Sequence, residues 1–293
     1  MIKLRSYAKI NLYLDIGDKL NNGYHCIETL FQTINLFDEI TIEKLNEPTY
    51  NIYCNNPKVP DDKNSLVYRA IERIMGDNKY GLAVCIDKKI PLAAGLGGGS
   101  SNVASILQGI SKLFKLNISK NKLMSIATSL GMDIPFFLER GTVYASGRGE
   151  ILFPLNLKDD IPLNLVLVNP GIEISTKWAY HTFDEENKNY FKKQDLNILK
   201  QLKQNNLISL PEIGKYIYNR FDSIISKQYP VIEEIKKKLI ESGAISTTIS
   251  GSGPTVYGIF DNKTEAIEGY NKLKNNYPFV CRTTTTKAKK IFF

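Results

Sequence analysis

PLAAGLGGGSSN, residues Pro91 to Asn102, places four glycines and two serines between two segments of different period. Before it, Leu82, Val84 and Ile86 alternate with Ala83, Cys85 and Asp87, as in a strand. After it, Val103, Ile106, Leu107, Ile110, Leu113 and Phe114 share one helical face. A strand that turns through glycines into a helix leaves backbone N–H groups bare at the positive helix end. An anion is favoured there, most often phosphate. Spacing excludes two familiar phosphate motifs. No lysine follows the glycines, as a Walker loop requires, and Gly95-Leu96-Gly97-Gly98-Gly99-Ser100 breaks the Gly-x-Gly-x-x-Gly pattern at its last position. A flexible turn capped by Ser100 or Ser101 is the alternative reading.

The 293 residues suggest two lobes or one large domain, and a hydrophobic content of 43% is ample for a core. No apolar run has the length of a membrane span. Strand character begins almost at Met1, which leaves no room for a signal peptide, so a soluble cytoplasmic protein is expected. Cys26, Cys54, Cys85 and Cys281 form no Cys-x-x-Cys pair, which argues against zinc and for a reducing compartment. His25 and His181 add no familiar metal spacing. A net charge of +8 suits an anionic ligand such as a nucleotide; a general bias toward Lys, Asn and Ile would produce the same figure. No interleaved basic and aromatic stripe points to nucleic acid.

Around the glycine run the pattern alternates strands and helices. Ala8, Ile10, Leu12 and Leu14 face one way and Tyr7, Lys9, Asn11, Tyr13 and Asp15 the other. Asn21-Asn22-Gly23 signals a turn. Strand character is read at 39–44, 141–152, 163–168, in a stretch ending at Ile249, and at 255–260 and 280–285. Helices are read at 65–75, at 121–130 stopped by Gly131, at 231–240 with Ile232, Ile235 and Leu239 inward, and around Ala266, Ile267, Tyr270 and Leu273. Polar residues 156–161 close a first lobe, and 184–206 read as surface, partly helical. The second lobe mixes helices with an antiparallel sheet.

Several side chains are candidates for chemistry. Lys9 and Asn11 project together from one strand face and suit a hydroxyl substrate beside negative charge; an ordinary solvated face has the same pattern. Asp133, two residues before Pro135, reads as a helix N-cap or as a carboxylate that accepts a hydroxyl proton. His25 after Gly23-Tyr24, and Tyr180, read singly as structural residues, and together as a clamp for a flat base. Ser250-Gly251-Ser252-Gly253-Pro254 reads as a tight turn or as a second loop that lets backbone approach a ligand.

Taken in order, Ala8-Lys9-Ile10-Asn11-Leu12, Gly23-Tyr24-His25 with Glu28-Thr29-Leu30-Phe31-Gln32, the glycine run, Asp133 with Pro135, Asn169-Pro170-Gly171, Thr176 and Ser250-Gly251-Ser252-Gly253 resemble the GHMP kinases. Within that family they are most similar to the branch of the non-mevalonate isoprenoid route. The resemblance implies an α+β fold with a ribosomal protein S5 domain 2-like lobe over 1–158 and a ferredoxin-like lobe over 159–293. It implies ATP as co-substrate with Mg²⁺, whose ligands stay unassigned. The implied reaction is phosphorylation of the 2-hydroxyl of 4-diphosphocytidyl-2-C-methyl-D-erythritol, with neither nucleic acid nor membrane as partner. By the same resemblance, Lys9 and Asp133 are catalytic, and Asn11, Tyr24, His25, Thr176 and Tyr180 hold the substrate. Pro91, Ala93, Ala94, Gly95, Leu96, Gly97, Gly98, Gly99, Ser100, Ser101 and Asn102 wrap ATP, with Asn64 and Lys88 as lesser candidates near adenosine. Two departures stand out. Ala93-Ala94 replaces glycines, and Asn219-Arg220-Phe221-Asp222 carries Arg where the family often has Asp.

Overall fold

The computed structural model describes residues 1–21, 23–76, 80–157, 161–186, 209–214 and 217–287. Asn22 of the expected turn, 158–160 at the expected lobe boundary and 187–206 of the expected surface segment lie outside the described residues.

Two long strands, β1 (Ile2–Lys19) and β2 (His25–Leu45), form an antiparallel ribbon on which the first lobe is built. β3 (Tyr50–Cys54) and β4 (Gly81–Asp87) extend it on one side, and β5 (Thr142–Ser146) and β6 (Ile151–Pro154) add a hairpin paired with β2. The stretch 141–152 is thus two strands rather than one, because Gly147 and Gly149 take positive φ and reverse the chain. Four helices cover this sheet: α1 (Leu66–Met75), α2 (Gly98–Leu113), α3 (Lys120–Leu130) and α4 (Ile134–Glu139). α2 is buried nearly all round, beyond the single apolar face its periodicity suggests, because it lies between the sheet and its neighbouring helices.

The second lobe comprises β7 (Asn164–Asn169), α5 (Thr176–Glu186), α6 (Leu210–Ile213), α7 (Asp222–Gln228), α8 (Pro230–Glu241), β9 (Ser246–Ile249), β10 (Val256–Phe260), α9 (Lys263–Leu273) and β11 (Phe279–Thr284). Its sheet runs β11-β7-β10-β9, every neighbour antiparallel, the strand order of a ferredoxin-like lobe. The helix faces follow the sequence pattern with one exception. Ile267 on α9 is exposed, while Ala266, Gly269 and Leu273 turn inward. A short strand, β8 (Tyr218–Asn219), leaves the second half of the chain to pair in parallel with β1.

The lobes share a core. Ala8, Ile10 and Leu12 of β1 and Leu30 and Ile34 of β2 pack against Leu165, Leu167, Tyr257 and Ile259 of the four-stranded sheet. The Tyr257 hydroxyl crosses this interface and donates to the Asn11 carbonyl at 2.8 Å. β1 is therefore buried on both faces. Its polar face, which reads as solvated in sequence, instead turns toward the helices and the crevice between lobes.

Candidate active site

The ladder between β1 and β2 shifts register between Tyr7 and Lys9 and again between Asn11 and Tyr13. Irregularities of this kind re-aim side chains next to sites. Lys9 and Asn11 lie between the two shifts and project into a cleft of about 240 Å³ that Asp133, Thr176 and Tyr180 also line. Lys9 is 3% exposed, which rules out the solvated-face reading. Its Nζ donates to Asn11 Oδ1 at 2.7 Å, and Asn11 Nδ2 donates to Thr29 Oγ1 at 2.8 Å, so the amide orientation is set from both ends. Burial lowers the Lys9 pKa from its ordinary value, and the Asp133 carboxylate offsets part of that shift.

Asp133 occupies the N-cap position of α4, yet its side chain makes no capping hydrogen bond. Asp133 lines the cleft, and no cap competes there with chemistry. Tyr180, on α5, meets the Phe221 ring edge-on at 4.9 Å. Burial, with the Asp133 charge beside it, pushes the Tyr180 hydroxyl up to about 12. Thr176 Oγ1 lies 2.9 Å from Ser252 Oγ at the other rim.

Two glycine loops close the cleft. The backbone N–H of Lys9 donates to the Leu96 carbonyl at 3.0 Å, tying the first loop to β1. Gly97 takes φ +67° as the N-cap of α2, and no side chain caps that helix. The alternative of a serine cap is not seen, and Ser101 Oγ turns inward to donate to the Tyr7 carbonyl at 2.6 Å. The first-turn N–H groups are left without a side-chain acceptor, the condition an anion site requires. Any Cβ on Gly95 would collide with the Ser250 carbonyl, and Ser250 Oγ donates to the Gly95 carbonyl at 2.8 Å. The Ser250–Gly253 segment is thus a tight turn, and Gly251, Ser252 and Gly253 also line the cleft.

Not every candidate reaches the cleft by its side chain. Ala94 and Leu96 point into the shared core. Asn102 is buried and donates to Ser6 Oγ at 2.9 Å and Asp38 Oδ2 at 2.8 Å. Ser101 and Asn102 therefore support the loop from beneath, leaving the backbone of the glycines and the partly exposed Ser100 to face outward. Lys88 is sealed in an ion pair with Asp38, and the exposed Asn64 hydrogen-bonds Asp62; neither lines the cleft.

The side chains expected to form a base clamp make contacts with one another and with protein groups. The His25 ring stacks on Tyr180 with centroids 5.4 Å apart and planes 14° apart, occupying one face of Tyr180 itself. His25 Nδ1 donates to the Gly17 carbonyl at 3.1 Å, and Nε2 lies at ion-pair distance, 2.9 Å, from Asp184, though out of hydrogen-bond alignment. Both nitrogens are turned to protein groups. Tyr24 is exposed, with the Arg148 guanidinium 5.5 Å from its ring centre. Neither His25 nor Tyr24 lines the cleft.

Sequence reasoning missed the apolar cleft wall of Leu14, Ile27, Ile174 and Phe221. It also missed Asn219, whose Nδ2 donates to the Ile249 and Gly251 carbonyls at 2.9 and 2.8 Å and shapes the second loop. Asp38 was legible: it falls in step with Ile40 and Ile42, at a position that buries its carboxylate completely. The Arg220 departure has a partner, since its Nε donates to the buried Asp15 carboxylate at 2.7 Å.

The GHMP kinases N terminal domain family matches residues 65–141 and the GHMP kinases C terminal family residues 198–278. A protein of Caldanaerobacter subterraneus subsp. tengcongensis named 4-diphosphocytidyl-2-C-methyl-D-erythritol kinase is 40% identical, covering 97% of this chain and 96% of its own. A protein of the same name from Caldicellulosiruptor bescii is 35% identical, over 98% and 99% respectively. The crystal structure of a 4-(cytidine 5'-diphospho)-2C-methyl-D-erythritol kinase superposes with a TM-score of 0.77 at 25% identity, covering 98% of this chain and 100% of that one. Leishmania major mevalonate kinase shares the fold, with a TM-score of 0.70 at 17% identity. With its cleft, its two glycine loops and near full-length relatives of one name, the chain belongs to the GHMP kinases, in the 4-diphosphocytidyl-2-C-methyl-D-erythritol kinase family.

Proposed function

We propose that this chain transfers the γ-phosphoryl group of ATP to the 2-hydroxyl of 4-diphosphocytidyl-2-C-methyl-D-erythritol. The observation that carries the reading is the meeting of Lys9, Asn11 and Asp133 in one cleft rimmed by both glycine loops. The residues of 1–158 and 159–293 act as the two lobes of this site. In the proposed step the substrate hydroxyl gives its proton to Asp133, its oxygen bonds to phosphorus, and the bond from phosphorus to the bridging oxygen breaks to release ADP. The Lys9 ammonium offsets charge on the transferring group. Asn11, held by Lys9 and Thr29, orients the alcohol. The uncapped start of α2 takes the phosphates. Among the described residues no cluster of three or more His, Cys, Asp or Glu is arranged to hold a metal, so magnesium enters as the Mg-ATP complex, held mainly by phosphates and water. None of the four cysteines is in a disulfide, and no described helix is long and apolar enough to cross a membrane; we place the reaction in the cytoplasm on that basis.

Incubating the protein with Mg-ATP and a panel of alcohols, read by mass spectrometry, tests the substrate. Phosphate gain by the cytidylylated methylerythritol is expected; phosphorylation of homoserine or mevalonate instead would overturn it. Asp133→Asn is expected to lower turnover by about 10²–10⁴ with folding intact. Near-normal turnover removes Asp133 from the role of base.

A further inference from the structure

Outside the cleft, the carboxylate of Asp38, on β2, accepts four hydrogen bonds. Its Oδ1 accepts from the backbone N–H of Lys89 at 2.7 Å and of Ile90 at 2.8 Å. Its Oδ2 accepts from the Lys88 ammonium and from Asn102 Nδ2 at 2.8 Å. Lys89 and Ile90 immediately precede the glycine loop, and Asn102 lies on the first turn and a half of the helix that follows it. The two ends of the loop are therefore fastened to the two oxygens of one side chain. Lys88 Nζ also donates to Asn102 Oδ1 at 3.2 Å, and a Cβ on Gly98 would come within 3.0 Å of that nitrogen. The chain of bonds continues from Asn102 to Ser6, from Ser6 to Ser101 at 2.8 Å, and from Ser101 to the Tyr7 carbonyl beside Lys9.

We infer that Asp38 is a positioning residue for the nucleotide: it sets the span of the glycine loop, and so the placing of its N–H groups, without touching the ligand. The inference rests on the loop being the ATP site. A carboxylate suits this role better than an amide of the same shape. Its two oxygens both accept, whereas Asn has one oxygen and would turn an NH₂ toward donors at one end of the loop. Loosening either end lets the N–H groups drift from the phosphates, and a displacement of about 1 Å in a positioned group costs on the order of 10²-fold. The alcohol side of the cleft hangs on Lys9, Asn11 and Asp133, which make no bond to Asp38, so the two substrates should be affected unequally.

The experiment measures steady-state constants for both substrates, and the Kd of Mg-AMPPNP, for wild type, Asp38→Asn and Asn102→Ala. Asn102→Ala frees only the helix end of the loop and guards against failure of Asp38→Asn to fold. The expected result is a rise of about 10- to 100-fold in KM for ATP and in the AMPPNP Kd, with KM for the alcohol within about twofold of wild type. A merely structural role would lower the fraction of active enzyme and leave both KM values unchanged; that outcome, or an unchanged AMPPNP Kd in a folded variant, overturns the inference. Wild-type protein that binds no AMPPNP overturns the functional reading as well, and so separates the two failures.

Discussion

Lys9 shows how a single residue can work against stability and for chemistry. Its folded pKa lies below that of the unfolded chain, so between the two values the unfolded state binds more protons and stability rises with pH. At neutral pH the buried charge therefore costs folding energy. Lys9→Met is expected to melt no lower than wild type while turnover falls about 10²–10³-fold, the usual loss of a transition-state charge partner. A variant that keeps its rate, or that melts well below wild type, contradicts this assignment. The same shift, a property of the free protein, places the alkaline limb of wild-type kcat/KM below the ordinary lysine value of 10.5. Tyr180 separates shape from polarity in a similar way. Its hydroxyl stays neutral over the working range, so Tyr180→Phe is expected to behave as wild type, and Tyr180→Ala to weaken binding of the cytidylylated substrate by ~1–3 kcal/mol if base stacking is of ordinary strength. Equal affinities for all three proteins would make Tyr180 a core residue only.

At the scale of an element, the first glycine loop stores strain at a position where the sequence has no glycine. Ala93 takes φ +48°, in the left-handed region. There a Cβ crowds the following carbonyl at a cost of about 1–2 kcal/mol. Ala93→Gly relieves the crowding but adds unfolded-state entropy, so a net gain of up to about 1 kcal/mol is expected in urea unfolding. A loss of stability would mean that the Ala93 methyl group contributes more through packing than its backbone costs. Ala93 lies on the cleft wall. Glycine periodicity made the loop visible in the chain. Strain at Ala93 was not visible, because φ is set by the contacts the loop makes with β1 and with the Ser250–Gly253 turn.

Across the whole molecule, the cleft lies between lobes that share an apolar core, and lobes joined through a large hydrophobic interface have little freedom to swing apart. β8 and the Arg220–Asp15 ion pair add polar fastenings between the second half of the chain and β1. Arg220→Met takes the guanidinium from Asp15, 1% exposed, and leaves it, among the described residues, the Ile16 N–H at 2.9 Å and the Tyr13 hydroxyl at 3.3 Å as donors. A loss of about 1–3 kcal/mol is expected, the range for a buried group deprived of a partner. The shared core also predicts a single unfolding event. Fluorescence of Trp178, the one tryptophan, reports on the second lobe, and its urea transition should coincide with that of far-UV circular dichroism. Separate midpoints would show that the lobes unfold independently.

Local chemistry determined much of this protein before any folding is considered. Glycines between a period-two and a period-3.6 segment specify a strand, an open turn and a helix start wherever they occur. The order of the short motifs is a property of the chain alone. The tertiary structure decided which polar residues are tools and which are supports. Asn102, Ser101 and Lys88 read as ligand-facing in sequence and are buried beneath the loop, whereas Lys9 and Asp133, each with an ordinary structural alternative, turn into the cleft. His25 stacks on the aromatic ring it was paired with as a clamp. The reason is that side-chain direction depends on register shifts in β1 and on what the opposite lobe places against each face. These contacts join residues hundreds of positions apart, and no local pattern encodes them.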